Sequence, residues 1–217
     1  MNDCLPSIQA CAMRVARLDS NGVPTPGADN LYVTAGLITL TATPEFRDGD
    51  EFEVVTACGA LGVNFKDQNR LKRLTVEMNI VAPDPELTEL LAGGSVLTDG
   101  TAVGYAAPDL LTIANPNGVS LELWTKRLSA DGSQDATYPW FRWVYPRVYL
   151  QVGAKNFQNG PMDNPFSGWA IENPNWYDGP MQDWPEPDTS YRVFSYLPRD
   201  AGDFPTVECG YQNTPAS

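Results

Sequence analysis

Histidine is absent from the 217-residue sequence. Its absence excludes nucleophilic catalysis that uses a histidine base, and it excludes every zinc site with a histidine ligand. The sequence also lacks a run of about 18 apolar residues, which a membrane-spanning helix requires. Its start is neither basic nor continuously apolar, unlike a signal peptide. We therefore expect a protein that does not contact a membrane and that folds in a cytoplasm.

Cysteine is scarce, and no two cysteines form a C-x-x-C pair. The four residues are far apart in the sequence, at Cys4, Cys11, Cys58 and Cys209. This spacing argues against an all-cysteine zinc site and against a disulfide framework. We expect buried, reduced thiols instead. The acidic stretch Asp48, Asp50 and Glu51 around a glycine could hold a cation, but it is more typical of a solvated loop tip. The sequence predicts no cofactor and no metal.

Positive charge is also in short supply. Lys and Arg number 14 against 27 Asp and Glu, which gives a formal net charge of −13. A surface of this sign cannot bind nucleic acid by neutralising phosphates. It could instead line a passage through which DNA slides without adhering. The short basic cluster at Arg70, Lys72 and Arg73 is too small for a nucleic-acid site, and we expect it to meet acids on a neighbouring subunit.

Alternating apolar and polar residues dominate what the sequence does contain. Together with 18 Gly and 19 Pro, such alternation is typical of strands and turns. The predicted strands are 8–18, 31–43, 52–57, 61–66, 74–80, 119–127, 138–152, 166–172 and 191–197. We predict a mainly β fold, an antiparallel β-sandwich or partial barrel. One short helix flanks it at about 84–92, with Asp84 as N-cap and Pro85 in the first turn.

The predicted strand 138–152 carries bulky side chains on both faces. Alternate residues of a strand point to opposite faces. The even-numbered set contains Trp140, Val144, Val148, Leu150 and Val152, and the odd-numbered set contains Phe141, Trp143, Tyr145, Arg147 and Tyr149. One face can meet the core of the same chain. The other must be covered, and a partner subunit is the simplest candidate.

The domain organisation follows from these segments. Residues 1–217 form one predicted domain. Residues 44–66 interrupt it as a projecting loop and hairpin, which we call the arm. Residues 95–118 are predicted to be irregular, with Gly104-Tyr-Ala-Ala-Pro108 as a candidate for a further edge segment. The segment 173–217, rich in Pro, Asn and Trp, is predicted to lie extended across a surface, anchored by Trp176 and Trp184.

Acids beside aromatics in the last third of the sequence raise an alternative. Glu172, Asp178 and Asp183 are near tryptophans that could stack on a sugar, as in a glycosidase or a carbohydrate-binding module. With 27 acids in the sequence, such neighbours also arise by chance, and no nucleophile or phosphate-binding motif accompanies them. The aromatics are better interpreted as packing anchors, and we predict that the protein is not an enzyme.

Several packing and turn motifs together resemble the major tail (tail-tube) proteins of long-tailed, siphovirus-type phages that infect actinobacteria. The resemblance covers most of the chain. The motifs that carry it are Arg17-Leu-Asp-Ser-Asn-Gly-Val-Pro-Thr-Pro-Gly27, Leu71-Lys-Arg-Leu74, Asp84-Pro-Glu-Leu-Thr-Glu-Leu-Leu-Ala-Gly-Gly94, Leu121-Glu-Leu-Trp-Thr-Lys-Arg127, Trp140-Phe-Arg-Trp-Val-Tyr-Pro-Arg147 and Glu172-Asn-Pro-Asn-Trp176.

The resemblance implies a structural virion protein that forms hexameric rings. The rings stack into a hollow tail tube through which the genome passes without specific binding. Tape-measure, tail-terminator and distal tail proteins would be its partners, and the tail, assembled in the host cytoplasm, its location. The arm at 44–66 would contact the adjacent ring. The alternatives are a capsid decoration or head–tail connector subunit, or a carbohydrate-binding module.

The residues expected at contacts between subunits or rings lie in the arm, in the basic cluster and at exposed aromatic positions. They are Phe46, Asp48, Phe52, Phe65, Arg70, Lys72, Arg73, Trp143, Trp169, Trp176 and Trp184.

Overall fold

A computed structural model gives the structure of the chain. It describes residues 6–25, 27–55, 57–59, 61–111, 113–157, 159, 163–176, 192–207 and 209–212. Within these ranges the fold is mainly β, with antiparallel sheets and one α-helix, which confirms the predicted fold class. The strands are β1 Ser7–Arg17, β2 Leu31–Thr34, β3 Leu37–Arg47, β4 Glu51–Val55, β5 Leu61–Lys66, β6 Arg70–Ile80, β7 Ser95–Asp99, β8 Ala102–Ala106, β9 Val119–Arg127, β10 Trp140–Val152, β11 Asn164–Ile171, β12 Ser195–Arg199 and β13 Gly210–Tyr211; the helix is α1 Pro85–Ala92.

One large antiparallel sheet organises the chain, in the order β13-β2-β1-β9-β10-β11-β6-β3. The long strand β10 carries two partners on one side: its first half pairs with β12 and its second half with β11. β1 and β3 lie far apart in this order but are also in contact, so the sheet curves back on itself. This curvature encloses the core and gives the fold its partial-barrel character.

Helix α1 packs its leucines into the concave side of the sheet. Leu87, Leu90 and Leu91 are fully buried, and they join a core built from β1, β6, β9, β10 and β11. Asp84 caps the helix as predicted, because its carboxylate accepts the backbone N–H of Leu87 at 3.0 Å. A helix of about two turns cannot persist alone, so docking on the sheet is what holds it.

In strand β10 the odd-numbered residues face the main core up to Tyr145, and the even-numbered residues face it from Val148 onwards. The sequence pattern did not reveal this change. The pairing with β9 shifts between Tyr145 and Val148. Tyr145 and Val148 both belong to the main core, whereas Val144 packs in a second cluster with Trp176 on the opposite face. A bulge adds a residue and reverses the parity that follows it. The predicted grouping of Val144 with Val148 is therefore wrong.

The second face of β10 is covered by the same chain. Trp176, Leu18, Leu31 and the β12 residue Leu197 pack over Val144 there. The expectation that a partner subunit must cover this face is corrected for this half of the sheet, because the segment that follows β11 folds back across it.

Residues 31–43, predicted as one strand, form two strands at distant places in the sheet. β2 pairs with β1, and β3 pairs with β6. The chain turns at Ala35-Gly36, where the Gly36 N–H donates to Thr34 Oγ1 at 2.9 Å. β3 then continues through Pro44, which an edge strand tolerates because the missing N–H would point to solvent. The arm therefore begins beyond Arg47 rather than at residue 44.

A hairpin occupies the first part of the region that was predicted to be irregular. β7 and β8 pair from Ser95 and Ala106 down to Asp99 and Ala102. The connecting loop has two residues and begins with Gly100 at a φ of 62°. Glycine adopts this conformation without strain, and two-residue loops of this kind connect hairpin strands. The Asp-Gly dipeptide at 99–100 was the signal that the sequence analysis missed.

Candidate assembly surfaces

The arm ends in a two-stranded ribbon with one apolar face. Phe52 pairs with Phe65 and Val54 with Val63 across β4 and β5, as the predicted hairpin required. These four side chains share one face of the ribbon because paired residues and alternate residues point the same way. Their exposed fractions are 60%, 58%, 42% and 51%. We call these four residues the ribbon face; within the chain they form an uncovered apolar strip.

The opposite face of the ribbon is polar near the sheet and carries one exposed apolar pair, Val55 and Leu61, near its tip. Glu51 pairs with Lys66 and Glu53 with Asn64, and Lys66 Nζ lies 3.8 Å from Glu51 Oε2. Both charged groups are more than half exposed, so this ion pair contributes little to stability. The ribbon is thus amphipathic although it has no core beneath it, a pattern expected where a surface is to be covered by another molecule.

The basic cluster at the root of the arm meets an acid of its own chain. Lys72 Nζ donates to Glu45 Oε1 at 2.7 Å, and Arg73 Nε donates to the other oxygen of the same carboxylate. The hydrogen bonds from Lys72 and Arg73 hold the pKa of Glu45 below its usual value. The expectation that this cluster pairs with a neighbour is corrected for these two residues. Arg70, Phe46 and the loop residue Asp48 are exposed.

Two of the predicted contact tryptophans lie on the sheet with part of their surface accessible. Trp169 is 37% exposed, and the Arg73 guanidinium lies 5.8 Å from its ring centroid. Trp143 is half-buried: its ring stacks on Tyr196, and its Nε1–H donates to Thr125 Oγ1 at 3.0 Å. Trp169 is thus available for an intermolecular contact, whereas Trp143 is largely engaged within the chain.

Trp176 is not at the surface. It is fully buried in the second cluster, so it contacts its own chain and cannot serve as a subunit contact or as a stacking platform for a sugar in this conformation. Trp184 lies outside the described residues. Of the acids proposed for a glycosidase, only Glu172 is described, and it is exposed.

A buried ionic cluster that was not predicted from the sequence lies beneath Trp176. Glu122 Oε2 accepts hydrogen bonds from Arg142 Nε and from Arg14, each at 2.7 Å. The side chains of Glu122 and Arg142 are 1% and 0% exposed. The two guanidinium groups flank the Trp124 ring, 5.0 and 5.4 Å from its centroid. Alternation in β1, β9 and β10 places these three charges on one face, but only the strand order shows that they meet.

The sheet face that carries Glu122 and Arg142 continues beyond the segment that covers them, and this uncovered part is rich in hydroxyl groups. Thr39, Thr41 and Thr43 of β3, Thr75 of β6 and Ser167 of β11 share it with Glu77, and all are exposed. We call these six residues the hydroxyl face. It ends at β3, which pairs only with β6 among the described strands. An edge of 11 residues is long for a free edge strand.

A second apolar surface follows the β7–β8 hairpin. Leu110, Leu111 and Ile113 are 100%, 95% and 78% exposed. Beside them runs an open groove of about 400 Å³, lined in part by Arg17, Gly94, Pro108, Ile113 and Pro116. We call the residues Leu110, Leu111 and Ile113 the distal loop. Such a concentration of exposed aliphatic side chains is uncommon on a surface that meets only water.

Metal and thiol sites find no support in the part of the chain that the structure describes. No group of three or more Cys, Asp or Glu side chains is placed to hold a metal ion there. The thiols are free, but Cys58 and Cys209 are exposed and Cys11 is half-buried, so the predicted burial is wrong for these three. Among the described residues no helix has the length and apolar character needed to cross a membrane.

Comparisons with known proteins do not place the chain in a family. No protein-family model matches it, and no curated protein matches it. The functional interpretation therefore depends on the surfaces described above and on the motifs in the sequence.

Proposed function

We propose that the protein is a structural, non-enzymatic virion subunit that assembles into stacked rings and forms the tail tube of a long-tailed phage. The observation that carries the proposal is the ribbon face, where the apolar side chains of Phe52, Phe65, Val54 and Val63 are 42–60% exposed in the part of the chain that the structure describes. A solitary domain gains nothing from such a strip, whereas a subunit that stacks on copies of itself can bury it.

The free edge of β3 supports lateral assembly. β3 has 11 residues, and no strand among the described residues pairs with its outer side. Exposed edges of this length invite pairing with another strand. Joining sheet edges around a closed ring removes them, and repetition along the ring axis gives an open tube.

The hydroxyl face is the best candidate for the wall of the channel. It presents threonine and serine with one exposed acid, Glu77, and the partly exposed ring of Trp169 lies opposite Thr75. Beside that ring, the Arg73 guanidinium donates to Glu45. A wall whose arginine is neutralised by a carboxylate forms few long-lived contacts with phosphate. Together with the formal net charge of −13, this favours passage of DNA over binding of DNA.

Negative-stain electron microscopy of the purified protein tests the proposal. Stacked rings or tubes are the expected result, at neutral pH and moderate salt. Isolated dimers or trimers would contradict it and would favour a capsid decoration protein. A single ring type that never stacks at any protein concentration would favour a head–tail connector.

A further inference from the structure

The ribbon face and the distal loop lie at opposite ends of the sheet. β1, β6 and β10 run in the same direction, because β9 is antiparallel to both β1 and β10 and β11 is antiparallel to both β6 and β10. β1 ends at Arg17, beside the groove next to the distal loop. β6 begins at Arg70, where the arm joins the sheet. The ribbon therefore leaves from the end where these strands begin, and the distal loop lies where β1 ends.

We propose that the distal loop and its groove are the docking site for the ribbon face of a second copy of this chain. This inference rests on the proposed function, and it names the surface that receives the arm. The two surfaces of one chain face away from each other along the strand direction, so neither can cover the other within a subunit. If a second copy is displaced along the strand direction, its ribbon face meets the distal loop of the first copy.

The chemistry of the two surfaces agrees with this arrangement. The ribbon offers two phenylalanines and two valines, and the loop offers two leucines and an isoleucine. The contact is heterologous, since each copy donates a ribbon at one end and receives one at the other. A heterologous contact along an axis does not close and generates a filament.

The size of the contact explains why it would act only in assembled rings. Buried aromatic side chains remove roughly 150–250 Å² each from water, so the ribbon face supplies on the order of 400 Å². Stable pairs of proteins bury roughly 1,200–2,000 Å² in total. One ribbon contact is therefore too small to hold two free subunits, but the several contacts between two rings add their effects.

The natural thiol at the tip of the arm provides the test. Cys58 is exposed at the turn between β4 and β5. A parent variant carries serine in place of the other cysteines, Cys4, Cys11 and Cys209. A second cysteine is added by Leu111→Cys or, as a further position in the same loop, Ile113→Cys. The matched control is Ala130→Cys, an exposed residue in the turn between β9 and β10, at the end of the sheet from which the arm leaves.

Assembled samples are treated with a short bismaleimide and separated on a denaturing gel. Leu111→Cys should give a ladder of covalent multimers, because each chain donates one thiol and receives another. The parent and Ala130→Cys should remain mostly monomeric.

Tubes that form normally but give no ladder with Leu111→Cys and Ile113→Cys would overturn the docking site and leave the proposed function standing. Abundant Cys58–Cys58 dimers in the parent would show that ribbons meet each other, which would also overturn it. Absence of rings and tubes from the parent would contradict both proposals.

Discussion

Glu122 and Arg142 form an ion pair in the interior of the chain, with Arg142 Nε donating to Glu122 Oε2 at 2.7 Å. Arg14 donates to the same carboxylate oxygen from its other side. Both guanidinium groups lie against the Trp124 ring, 5.0 and 5.4 Å from its centroid. Removal of these charges from water costs free energy, which their mutual attraction and hydrogen bonds offset. We therefore expect the cluster to specify the register of β1, β9 and β10 more than it adds to stability.

Replacement of the central carboxylate should destabilise the protein strongly. In Glu122→Gln both arginines lose the carboxylate that they share, and loss of one partner of a buried pair costs about 3–5 kcal/mol. Urea denaturation followed by tryptophan fluorescence measures the free energy of unfolding. The control is Glu77→Gln on the exposed hydroxyl face, where a change within about 0.5 kcal/mol is expected. Equal losses in the two variants would show that the buried cluster has no special role.

Replacement of Trp176 by alanine should cost more stability than the same replacement of Trp169. Trp176 is fully buried, and Trp169 is 37% exposed. Trp176→Ala leaves a cavity over the second cluster and should cost about 3–5 kcal/mol. Trp169→Ala loses its contact with Arg73, worth about 0.5–1 kcal/mol at an exposed site, and its ring contact with Tyr149, worth about 0.5–1.5 kcal/mol. The same denaturation experiment compares them, and a larger loss for Trp169→Ala would contradict the assigned positions.

Tyrosine ionisation should destabilise the fold at alkaline pH. Burial, and then the nearby Glu89 carboxylate, raise the pKa of Tyr211 from 10.0 to about 12. Burial and the hydrogen bond to Asp84 also raise the pKa of Tyr32. The folded state thus favours the neutral phenols, so their contribution is complete below pH 10 and is lost as the pH rises towards 12. Tyr211→Phe keeps the ring beside Tyr32 and should reduce the loss of stability between these pH values. The measurement is the free energy of unfolding, taken from urea denaturation at several pH values. If it falls with pH as steeply in Tyr211→Phe as in the unmodified protein, this account is contradicted.

Local patterns in the sequence predicted most of the strands and the helix. Alternation located β1, β9 and β10 to within a few residues, and Asp84 followed by Pro85 located the start of α1. These features depend on residues that are close to each other in the sequence. The position of the hairpin in the arm was predictable for the same reason, because Cys58-Gly59 lies between two apolar runs.

What the sequence did not reveal depends on contacts between distant segments. The bulge after Tyr145 reverses the faces of β10, and a parity count cannot detect it. The pairing of Glu122 with Arg142 and Arg14 requires the strand order β1-β9-β10. The burial of Trp176 requires that the chain fold back after β11. Each of these is settled by tertiary packing, which overrides local preference.

The last prediction concerns the ribbon face, where stability and assembly should respond differently to the same change. The double variant Phe52→Ser and Phe65→Ser removes apolar groups that are about 60% exposed. Since they are already largely in water, the free energy of unfolding of the monomer should change by less than about 1 kcal/mol. Stacking should be lost, because the strip that would be buried between rings is gone.

The matched control changes the opposite face of the same ribbon, in Glu53→Ser and Asn64→Ser. This variant keeps the ribbon face intact and should form tubes as the parent does. Electron microscopy and sedimentation measure assembly, and urea denaturation measures stability. Unstacked rings in the phenylalanine variant, beside tubes in the control, are the expected result. If the phenylalanine variant forms tubes of normal length, the ribbon is not the contact between rings. If it unfolds at much lower urea concentration than the control, the two phenylalanines belong to the core of the subunit and not to its surface.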